Sequence, residues 1–244
     1  MVLVHPPEPL VEFKDAYIGY GSRVVVRGLN LTVPRGGLTV LLGPNGSGKT
    51  TVMRAIFGSA RVVKGVLRVN GTVSYSPAEV DGLVNLTVLE TVRTARRGYA
   101  WVNNEDAVKA LSEVGMLSKA NARLSELSTG EKRLIMIARA IASNADLILI
   151  DEPTANLDPG NRHRVLKVIL SLITQHTVMV ATHDVDLALL ANQVIMLRDG
   201  SVVDVGPPVE VITEENLTKL YGVSARVMRN GGEVHVVFPM HEKP

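Results

Sequence analysis

The chain has 244 residues and a formal net charge of +2, and 46% of its residues are hydrophobic but only 4% are aromatic. This length is enough for one large α/β domain, or for a core with an inserted subdomain. The lack of cysteine excludes a disulfide framework and fits a cytosolic protein. No apolar run reaches the roughly 18 residues that would span a membrane, and the N-terminus lacks the pattern of a signal peptide.

Two stretches near the N-terminus, PLVEFKDAYIGY and RVVVRGLNLTV, alternate between apolar and polar residues. This alternation predicts a half-exposed antiparallel layer, and residues 61–75 are predicted to join it. Elsewhere, continuous apolar runs predict strands that are covered on both faces of a parallel sheet. These runs are residues 38–42, 146–150, 177–182 and 193–197.

Helical patterns dominate the middle of the chain. Thr87 and Ser128 are each followed three residues later by Glu, which predicts two helix starts with capping boxes. Asp199-Gly200 predicts a hairpin turn, and the tail is predicted to form one short helix followed by the strand EVHVVF. The expected boundaries within a single domain, 1–244, are about 80–140 for a helical insert and about 8–79 and 141–239 for the core.

The stretch LTVLLGPNGSGKTT has Gly, four residues and then Gly-Lys-Thr directly after a predicted buried strand, which is the phosphate-loop pattern. Its glycines let backbone N–H groups point at phosphates, and the following helix offers its positive N-terminal end. Lys49 can reach the β- and γ-phosphates, and the Thr50 hydroxyl can bind Mg²⁺. The alternative is a glycine-rich turn without a ligand. The candidate binding residues are Gly43, Pro44, Asn45, Gly46, Ser47, Gly48, Lys49, Thr50 and Thr51.

A second pattern, LILIDEP, ends a strongly apolar strand with Asp151 and Glu152. A carboxylate at the carboxyl end of a parallel strand is predicted to lie beside the phosphate loop that follows a neighbouring strand. Asp151 suits the Mg²⁺ shell through water, and Glu152 suits the polarisation of an attacking water. The alternative is a pair of acids that begin a surface loop.

A third pattern, LSTGEKRLIMIARAI, is by itself a capping box that opens an amphipathic helix. It precedes Asp151, and His183 in VATHD follows the next predicted strand. Together these motifs resemble the ATP-binding cassette (ABC) ATPases from about residue 10 to residue 227. The resemblance implies an α/β fold: a P-loop ATPase core with a mainly parallel sheet, an N-terminal antiparallel β subdomain and the inserted helical subdomain.

The resemblance also implies roles for residues outside the phosphate loop. In this family an aromatic ring stacks on adenine, and Tyr20 matches that position, whereas the neighbouring Tyr17 is expected to be a core aromatic. Asp158 in ANLDP matches the loop that crosses the seam of a head-to-tail dimer. His183 matches the histidine that contacts the γ-phosphate.

Such dimers hold two ATP molecules between the chains, so the signature residues of one copy would contact the γ-phosphate bound by the other. These residues are Ser128, Thr129, Gly130 and Glu131. Thr129 replaces the commoner Gly and Glu131 the commoner Gln. The Cβ of Thr129 is expected to lower nucleotide affinity modestly.

The family pattern Y-x-P-Q maps onto Tyr75 to Ala78, so alanine stands where the resemblance implies a glutamine that touches Mg²⁺ and the attacking water. Glu79 is one position late for this role, and water is the other candidate to fill the place of the amide. Losing one positioning contact costs roughly 1–3 kcal/mol, or about 5- to 150-fold in rate. We therefore expect a slower enzyme rather than an inactive one.

The segment GPPVEVITEENLTKLYGVSARV resembles the end of importer ATPases for metal chelates such as iron–siderophore, haem and cobalamin. The resemblance implies ATP and Mg²⁺ as cofactors, transmembrane permease subunits, a second cassette in a homodimer, and an extracytoplasmic binding protein. It places the chain in the cytoplasm, peripheral on the inner face of the cell membrane, with no nucleic acid partner.

Several alternatives stay open at this point. The chain could serve an exporter, or act as a soluble cassette outside transport, and a second, different cassette could replace the homodimer. Arg93, Arg96 and Arg97 are predicted to share one helical face, either solvated or in contact with a membrane subunit or anionic lipid. Leu83 and Val84 are predicted to belong to a surface that receives the membrane subunit.

Overall fold

The computed structural model describes residues 8–78, 85–98, 100–230 and 233–239. The chain divides into two compact units, each made of three segments. The first unit contains Met1–Leu10, Pro34–Gly37 and Val69–Val180, and the second contains Val11–Val33, Leu38–Arg68 and Ala181–Pro244. The division into a core and a helical insert at 80–140 stays a prediction, as does the placement of Glu79, Leu83 and Val84, which lie outside the described residues.

The strands, in chain order, are β1 (Val11–Tyr20), β2 (Arg23–Val33), β3 (Leu38–Leu42), β4 (Arg61–Val69), β5 (Val73–Ser76), β6 (Arg96–Arg97), β7 (Ala100–Trp101), β8 (Leu147–Asp151), β9 (Thr177–Thr182), β10 (Gln193–Arg198), β11 (Ser201–Gly206), β12 (Arg226–Asn230) and β13 (Glu233–Val237). The α-helices are α1 (Lys49–Ile56), α2 (Val88–Arg93), α3 (Asn104–Glu113), α4 (Thr129–Ala142), α5 (Pro159–Leu172), α6 (Val185–Leu189), α7 (Pro208–Val211) and α8 (Glu214–Tyr221). Within the described ranges, no helix combines the length and the apolar composition that crossing a membrane requires. The four predicted buried strands are confirmed as β3, β8, β9 and β10.

In the second unit, β1 pairs antiparallel with β2 and has β4 on its other side. β10 pairs in parallel with β3 and antiparallel with β11. Every residue of β3 is buried, as a strand covered on both faces requires. Asp199 and Gly200 have φ angles of 50° and 75°, which are the two positive values of a type I′ hairpin turn, so the predicted turn is confirmed.

In the first unit, the strand order is β9-β8-β5, and β5 pairs in parallel with β8. Helix α4 packs against α2, α3 and α5 and against both β5 and β8. Its apolar run, LIMIARAIA, is buried almost throughout, because neighbouring elements cover it on several sides. Both predicted capping boxes, at Thr87 and at Ser128, are confirmed.

The prediction that residues 61–75 join the antiparallel layer as a whole is wrong after Val69. β5 leaves that layer and lies beside β8 instead. The carboxylate of Asp146 accepts hydrogen bonds from the Thr72 backbone N–H at 2.7 Å and from its hydroxyl at 2.8 Å. These bonds hold the start of β5 next to the segment that leads into β8, and they join residues that are far apart in sequence.

The predicted arginine face is also wrong. Helix α2 ends at Arg93, and Arg96 and Arg97 lie in β6, which pairs with β7 across a turn at Gly98. The guanidinium of Arg96 lies 3.9 Å from the centre of the Trp101 ring, a cation–π contact within this small hairpin.

The C-terminal tail contains more helices and strands than the one helix and one strand that were predicted. It contains α7, α8 and the antiparallel hairpin of β12 and β13. Pro208 begins α7, a position where the missing N–H costs nothing, and Gly222 ends α8 with a φ of 74°.

Candidate functional site

The phosphate loop begins where β3 ends and runs into the start of α1, both in the second unit. At Gly43 a side chain is impossible, because a Cβ atom would lie 2.1 Å from the carbonyl oxygen of Leu197. At Gly48 the φ angle is 105°, a conformation that side chains rarely adopt, and a Cβ would lie 2.8 Å from Val26. The loop is therefore pressed against neighbouring strands, with its exposed side at Asn45 and Gly46.

Several polar side chains of the predicted binding stretch are buried. Lys49 is only 5% exposed, and its Nζ donates hydrogen bonds to the carbonyl oxygens of Gly43 at 2.8 Å and Pro44 at 3.1 Å. The Ser47 hydroxyl is buried with no hydrogen-bond partner among the described residues. A buried ammonium and an unsatisfied hydroxyl in a glycine loop fit an anionic ligand such as a phosphate. Thr50 is half-buried, and Thr51 is buried.

Tyr20 and His183 belong to the same unit as this loop. Tyr20 ends β1 and is 41% exposed, so its ring is accessible. His183 is exposed and follows Thr182, whose carbonyl accepts the Gly43 backbone N–H at 3.1 Å. The expected core role of Tyr17 is wrong in part, because the residue is half-buried with the Lys64 ammonium 4.7 Å from its ring centre.

The acidic pair lies in the first unit, at the end of β8. Asp151 is 1% exposed, and its carboxylate accepts a hydrogen bond from the Tyr75 hydroxyl at 2.9 Å. Glu152 has a φ of 44°, in the left-handed region that residues with a Cβ seldom adopt. A strained backbone of this kind costs on the order of 1–3 kcal/mol and is characteristic of functional sites.

The signature residues form the start of α4. The Ser128 side chain accepts from the Glu131 N–H, and the Glu131 carboxylate accepts from the Ser128 N–H at 3.0 Å. Lys119 also donates to the Glu131 carboxylate. The Lys119 hydrogen bond, and then the Ser128 N–H, hold the pKa of Glu131 below its ordinary value. Glu131 is therefore a charged anchor of this helix terminus, while Thr129 is exposed.

Asp158 and Gly130 meet through a residue that the sequence did not single out, Asn161. Asp158 caps α5 by accepting the Asn161 N–H at 2.9 Å, and it accepts the Asn161 side-chain amide at 2.6 Å. These hydrogen bonds hold the pKa of Asp158 below its ordinary value. A Cβ at Gly130 would lie 2.6 Å from Asn161 Cγ, so α4 and α5 touch at this point. The only sequence signal for Asn161 is its place three residues after a capping Asp.

The main chain near Ala78 is held by a second unforeseen residue, Arg133. Ala78 is half-buried, and its carbonyl accepts from Arg133 Nη1, which also donates to the carbonyl of Pro77 at 3.0 Å. Arg133 is 7% exposed. Its position in the amphipathic helix α4 predicted only a polar side chain, since its partners are more than fifty residues away in sequence.

The predicted site residues thus fall into two sets. The phosphate loop, Tyr20 and His183 are in the second unit. The acidic pair, the signature and Asp158 are in the first unit. The chain has a glycine loop with a buried lysine after a buried parallel strand, and its next fully buried strand ends at Asp151, directly before Glu152. These features define a P-loop nucleotide-binding protein.

Comparisons with known proteins narrow this class. A family model described as ABC transporter matches residues 26–155. The iron(3+)-hydroxamate import ATP-binding protein FhuC of Bacillus subtilis is 31% identical, over 86% of this chain and 87% of that protein. The Nod factor export ATP-binding protein I of Paraburkholderia xenovorans is 33% identical, over 92% of this chain and 80% of that protein. A solved chain from a metal-chelate type ABC transporter in an inward-facing conformation has a TM-score of 0.84 and 26% identity, covering 95% of this chain and 97% of that one.

The chain belongs to the ABC transporter family, as an ATP-binding subunit. Such subunits use and hydrolyse ATP and act with membrane permease subunits. The predicted α/β fold, with parallel strands and an antiparallel N-terminal part, is confirmed by the likeness to the solved transporter chain.

Proposed function

We propose that this chain hydrolyses ATP as a head-to-tail homodimer and so drives the import of a metal chelate or a similar small solute through separate permease subunits. The observation that carries the hydrolysis part is the phosphate loop with its buried Lys49 and unsatisfied Ser47 hydroxyl. The import part rests on the likeness to FhuC and to the metal-chelate type transporter, and on the C-terminal segment at 206–227.

In this proposal, backbone N–H groups of the phosphate loop and the start of α1 bind the phosphates of ATP. Lys49 exchanges a carbonyl partner for a phosphate oxygen, which is favourable because the anion carries more charge than a carbonyl dipole. Asn45 and Gly46 form the exposed entry side of the loop. Tyr20 offers an accessible ring for stacking on the base.

Thr50 and Asp151 are the proposed Mg²⁺ ligands, because a hydroxyl and a carboxylate are oxygen donors that this ion accepts. Among the described residues, no group of three or more acidic, His or Cys side chains is arranged so that it could hold a metal ion by itself. A magnesium ion that shares phosphate oxygens needs only one or two carboxylates and keeps several waters. When bound, it would neutralise charge that develops on the phosphates. Asp151 is held by the Tyr75 hydroxyl, so its carboxylate is oriented in advance.

Glu152 is the proposed general base that orients the attacking water, and His183 the proposed γ-phosphate contact. The positive φ of Glu152 supports this role, because such strain persists only where surrounding structure enforces it. Ser128, Thr129, Gly130 and Glu131, with Asp158, are proposed to contact the nucleotide held by the second copy. The exposure of Ser128, Thr129 and Asp158 supports this assignment.

The remaining partners follow from the importer hypothesis. An extracytoplasmic binding protein would deliver the solute, the cassette would lie in the cytoplasm on the inner face of the membrane, and nucleic acid has no part. The exporter is the second candidate function, favoured by the Nod factor relative.

The test of hydrolysis is Mg-dependent ATP turnover by the purified chain over a range of protein concentrations, with Glu152→Gln as the control. We expect a measurable rate, reduced by Ala78, that rises faster than linearly with concentration and disappears in Glu152→Gln. Turnover that Glu152→Gln leaves intact would refute the assigned base, and turnover by a sample that stays monomeric with ATP bound would refute the homodimer.

The direction of transport needs a second experiment in cells that lack the gene. We expect these cells to take up less radiolabelled iron supplied as a hydroxamate chelate, with rescue by the wild-type gene and none by Glu152→Gln. Normal uptake of chelates combined with retention of an exported solute would favour the exporter instead.

A further inference from the structure

The segment from Tyr75, near the end of β5, to Ala78 is held by hydrogen bonds at two points. Tyr75 donates its hydroxyl proton to the Asp151 carboxylate at 2.9 Å. After Ser76, the carbonyl of Pro77 accepts from Arg133 Nη1 at 3.0 Å, and the carbonyl of Ala78 accepts from the same nitrogen. One short segment therefore connects the end of β8 with helix α4.

The second of these contacts, from Arg133 to the carbonyls of Pro77 and Ala78, involves a buried charged group. Arg133 is 7% exposed, although it carries a guanidinium that water would otherwise solvate. Burying such a group is costly unless it is hydrogen-bonded, and two carbonyl oxygens on one nitrogen recover part of that cost. Ala78 has no polar side-chain atom. The hydrogen-bond acceptors for Arg133 in this segment are therefore the main-chain carbonyls of Pro77 and Ala78.

Arg133 lies near the start of α4, close in sequence to the signature residues. The helix begins at the Ser128 cap, and Arg133 lies just over one turn further on. Apolar side chains beyond it, including Leu134 and Ile137, are buried, so α4 is a rigid base for the guanidinium. Arg133 thus ties the Pro77–Ala78 main chain to the helix that carries the signature residues.

We propose that Arg133 is a positioning residue for ATP hydrolysis, which fixes the Pro77–Ala78 main chain relative to α4 and, through Tyr75, relative to Asp151. It acts through the segment and touches no reacting atom. This inference rests on the proposed function, since it assigns a role in turnover at that same site. A displacement of about 1 Å at a reacting centre can lower a rate by about 100-fold, so loosening this segment affects turnover more than nucleotide binding.

The experiment compares Arg133→Met, which keeps an unbranched apolar stem and removes all donors, with Arg133→Lys, which keeps the charge on a single nitrogen. Lys132→Met, one residue earlier on the same helix, is the matched control. For each purified full-length variant we would measure kcat and KM for Mg-ATP and the amide hydrogen exchange of the peptide around residues 73–78.

We expect kcat to fall about 10- to 100-fold in Arg133→Met, with KM for ATP changed less than about twofold. Arg133→Lys should recover at least part of the loss, Lys132→Met should resemble the wild type, and exchange around residue 78 should accelerate in Arg133→Met. Unchanged kcat and unchanged exchange in Arg133→Met would overturn the proposal. So would an equal loss in kcat for both Arg133 variants, or a loss confined to KM.

Two outcomes separate this inference from the proposed function. A wild type without ATP hydrolysis, or one that Glu152→Gln leaves active, overturns the proposed function and the role of Arg133 with it. A normal wild type, inactive Glu152→Gln and fully active Arg133→Met overturn the role of Arg133 alone. If Arg133→Met fails to fold, Arg133→Gln, which is shorter and uncharged, takes its place: unchanged kcat and exchange overturn the proposal, and a selective loss of kcat supports it.

Discussion

The contact between Gly130 and Asn161 predicts how a single methyl group will affect stability. In Gly130→Ala, the new Cβ would lie 2.6, 2.7 and 2.8 Å from Cγ, Oδ1 and Cβ of Asn161. All three distances are shorter than Cβ atoms tolerate, and the Asn161 amide is already bonded to Asp158 at 2.6 Å. The side chain can therefore move away only by giving up that bond.

Two effects of opposite sign set the magnitude. Replacing glycine by alanine within a helix gains about 1 kcal/mol in helix propensity. Overpacking costs about 1–3 kcal/mol, and three close contacts favour the upper part of that range. We expect a net loss of about 1–2 kcal/mol, which corresponds to a decrease in Tm of about 2–8 °C for a chain of this size.

The assay is thermal unfolding followed by circular dichroism without nucleotide, for Gly130→Ala, Asn161→Ala and the double variant. Asn161→Ala removes two of the three close atoms, so the double variant should be more stable than the sum of the single losses predicts, by at least about 0.5 kcal/mol. Gly160→Ala is the control, because its Cβ would lie 3.2 Å from Asp158 Oδ1, a tight contact that a small shift of this exposed side chain relieves. Additive losses, or a Gly130→Ala protein as stable as the wild type, would refute the steric reasoning.

Two further predictions concern the first unit. The pKa of Glu131 in the folded protein lies below its value in the unfolded chain, because Lys119 and Ser128 donate hydrogen bonds to its carboxylate. The charged carboxylate therefore stabilises the fold at pH values above the unfolded pKa, and this contribution is lost as the pH falls through the folded pKa. Between about pH 6 and pH 3, the Tm of Glu131→Gln should therefore fall less than the Tm of the wild type. Tyr75→Phe removes the donor to the buried Asp151 carboxylate and should lower the free energy of unfolding by about 1–3 kcal/mol, measured by urea titration.

If the Tm of the wild type and that of Glu131→Gln fell in parallel as the pH is lowered, the first of these predictions would be contradicted. Lys119→Gln should change the dependence of Tm on pH in the same direction as Glu131→Gln. For the second, Tyr17→Phe is a control that changes the same atoms away from the acidic pair. Equal losses in both Tyr variants would contradict the assigned role of the Asp151 hydrogen bond.

The sequence predicted the features that local spacing encodes. The buried strands, the capping boxes at Thr87 and Ser128 and the Asp199-Gly200 turn depend on neighbouring residues, and all of them are present. The phosphate loop is recognisable for the same reason, because a strand, a glycine turn and a helix follow one another without interruption. The family followed from the order of such local motifs along the chain.

The features that the sequence did not predict depend on distant partners. β5 leaves the antiparallel layer because Asp146 binds Thr72, and nothing near residue 72 indicates that bond. The Arg93–Arg97 stretch continues a helical pattern, yet Gly98 and the stacking of Arg96 on Trp101 favour a hairpin. Arg133 and Asn161 were missed because helix periodicity marks a side chain as buried or exposed without identifying its partner.

The C-terminal tail has a practical consequence for handling this protein. The Tyr221 hydroxyl donates to the His183 carbonyl at 3.0 Å, and its ring meets the edge of Phe238 at a centroid distance of 5.4 Å. A chain shortened before Phe238 would lack the ring that packs against Tyr221, and this would weaken the hydrogen bond from Tyr221 to the His183 carbonyl. Low turnover in a trimmed preparation would then arise at the far end of the polypeptide, in residues whose sequence carries no recognisable motif.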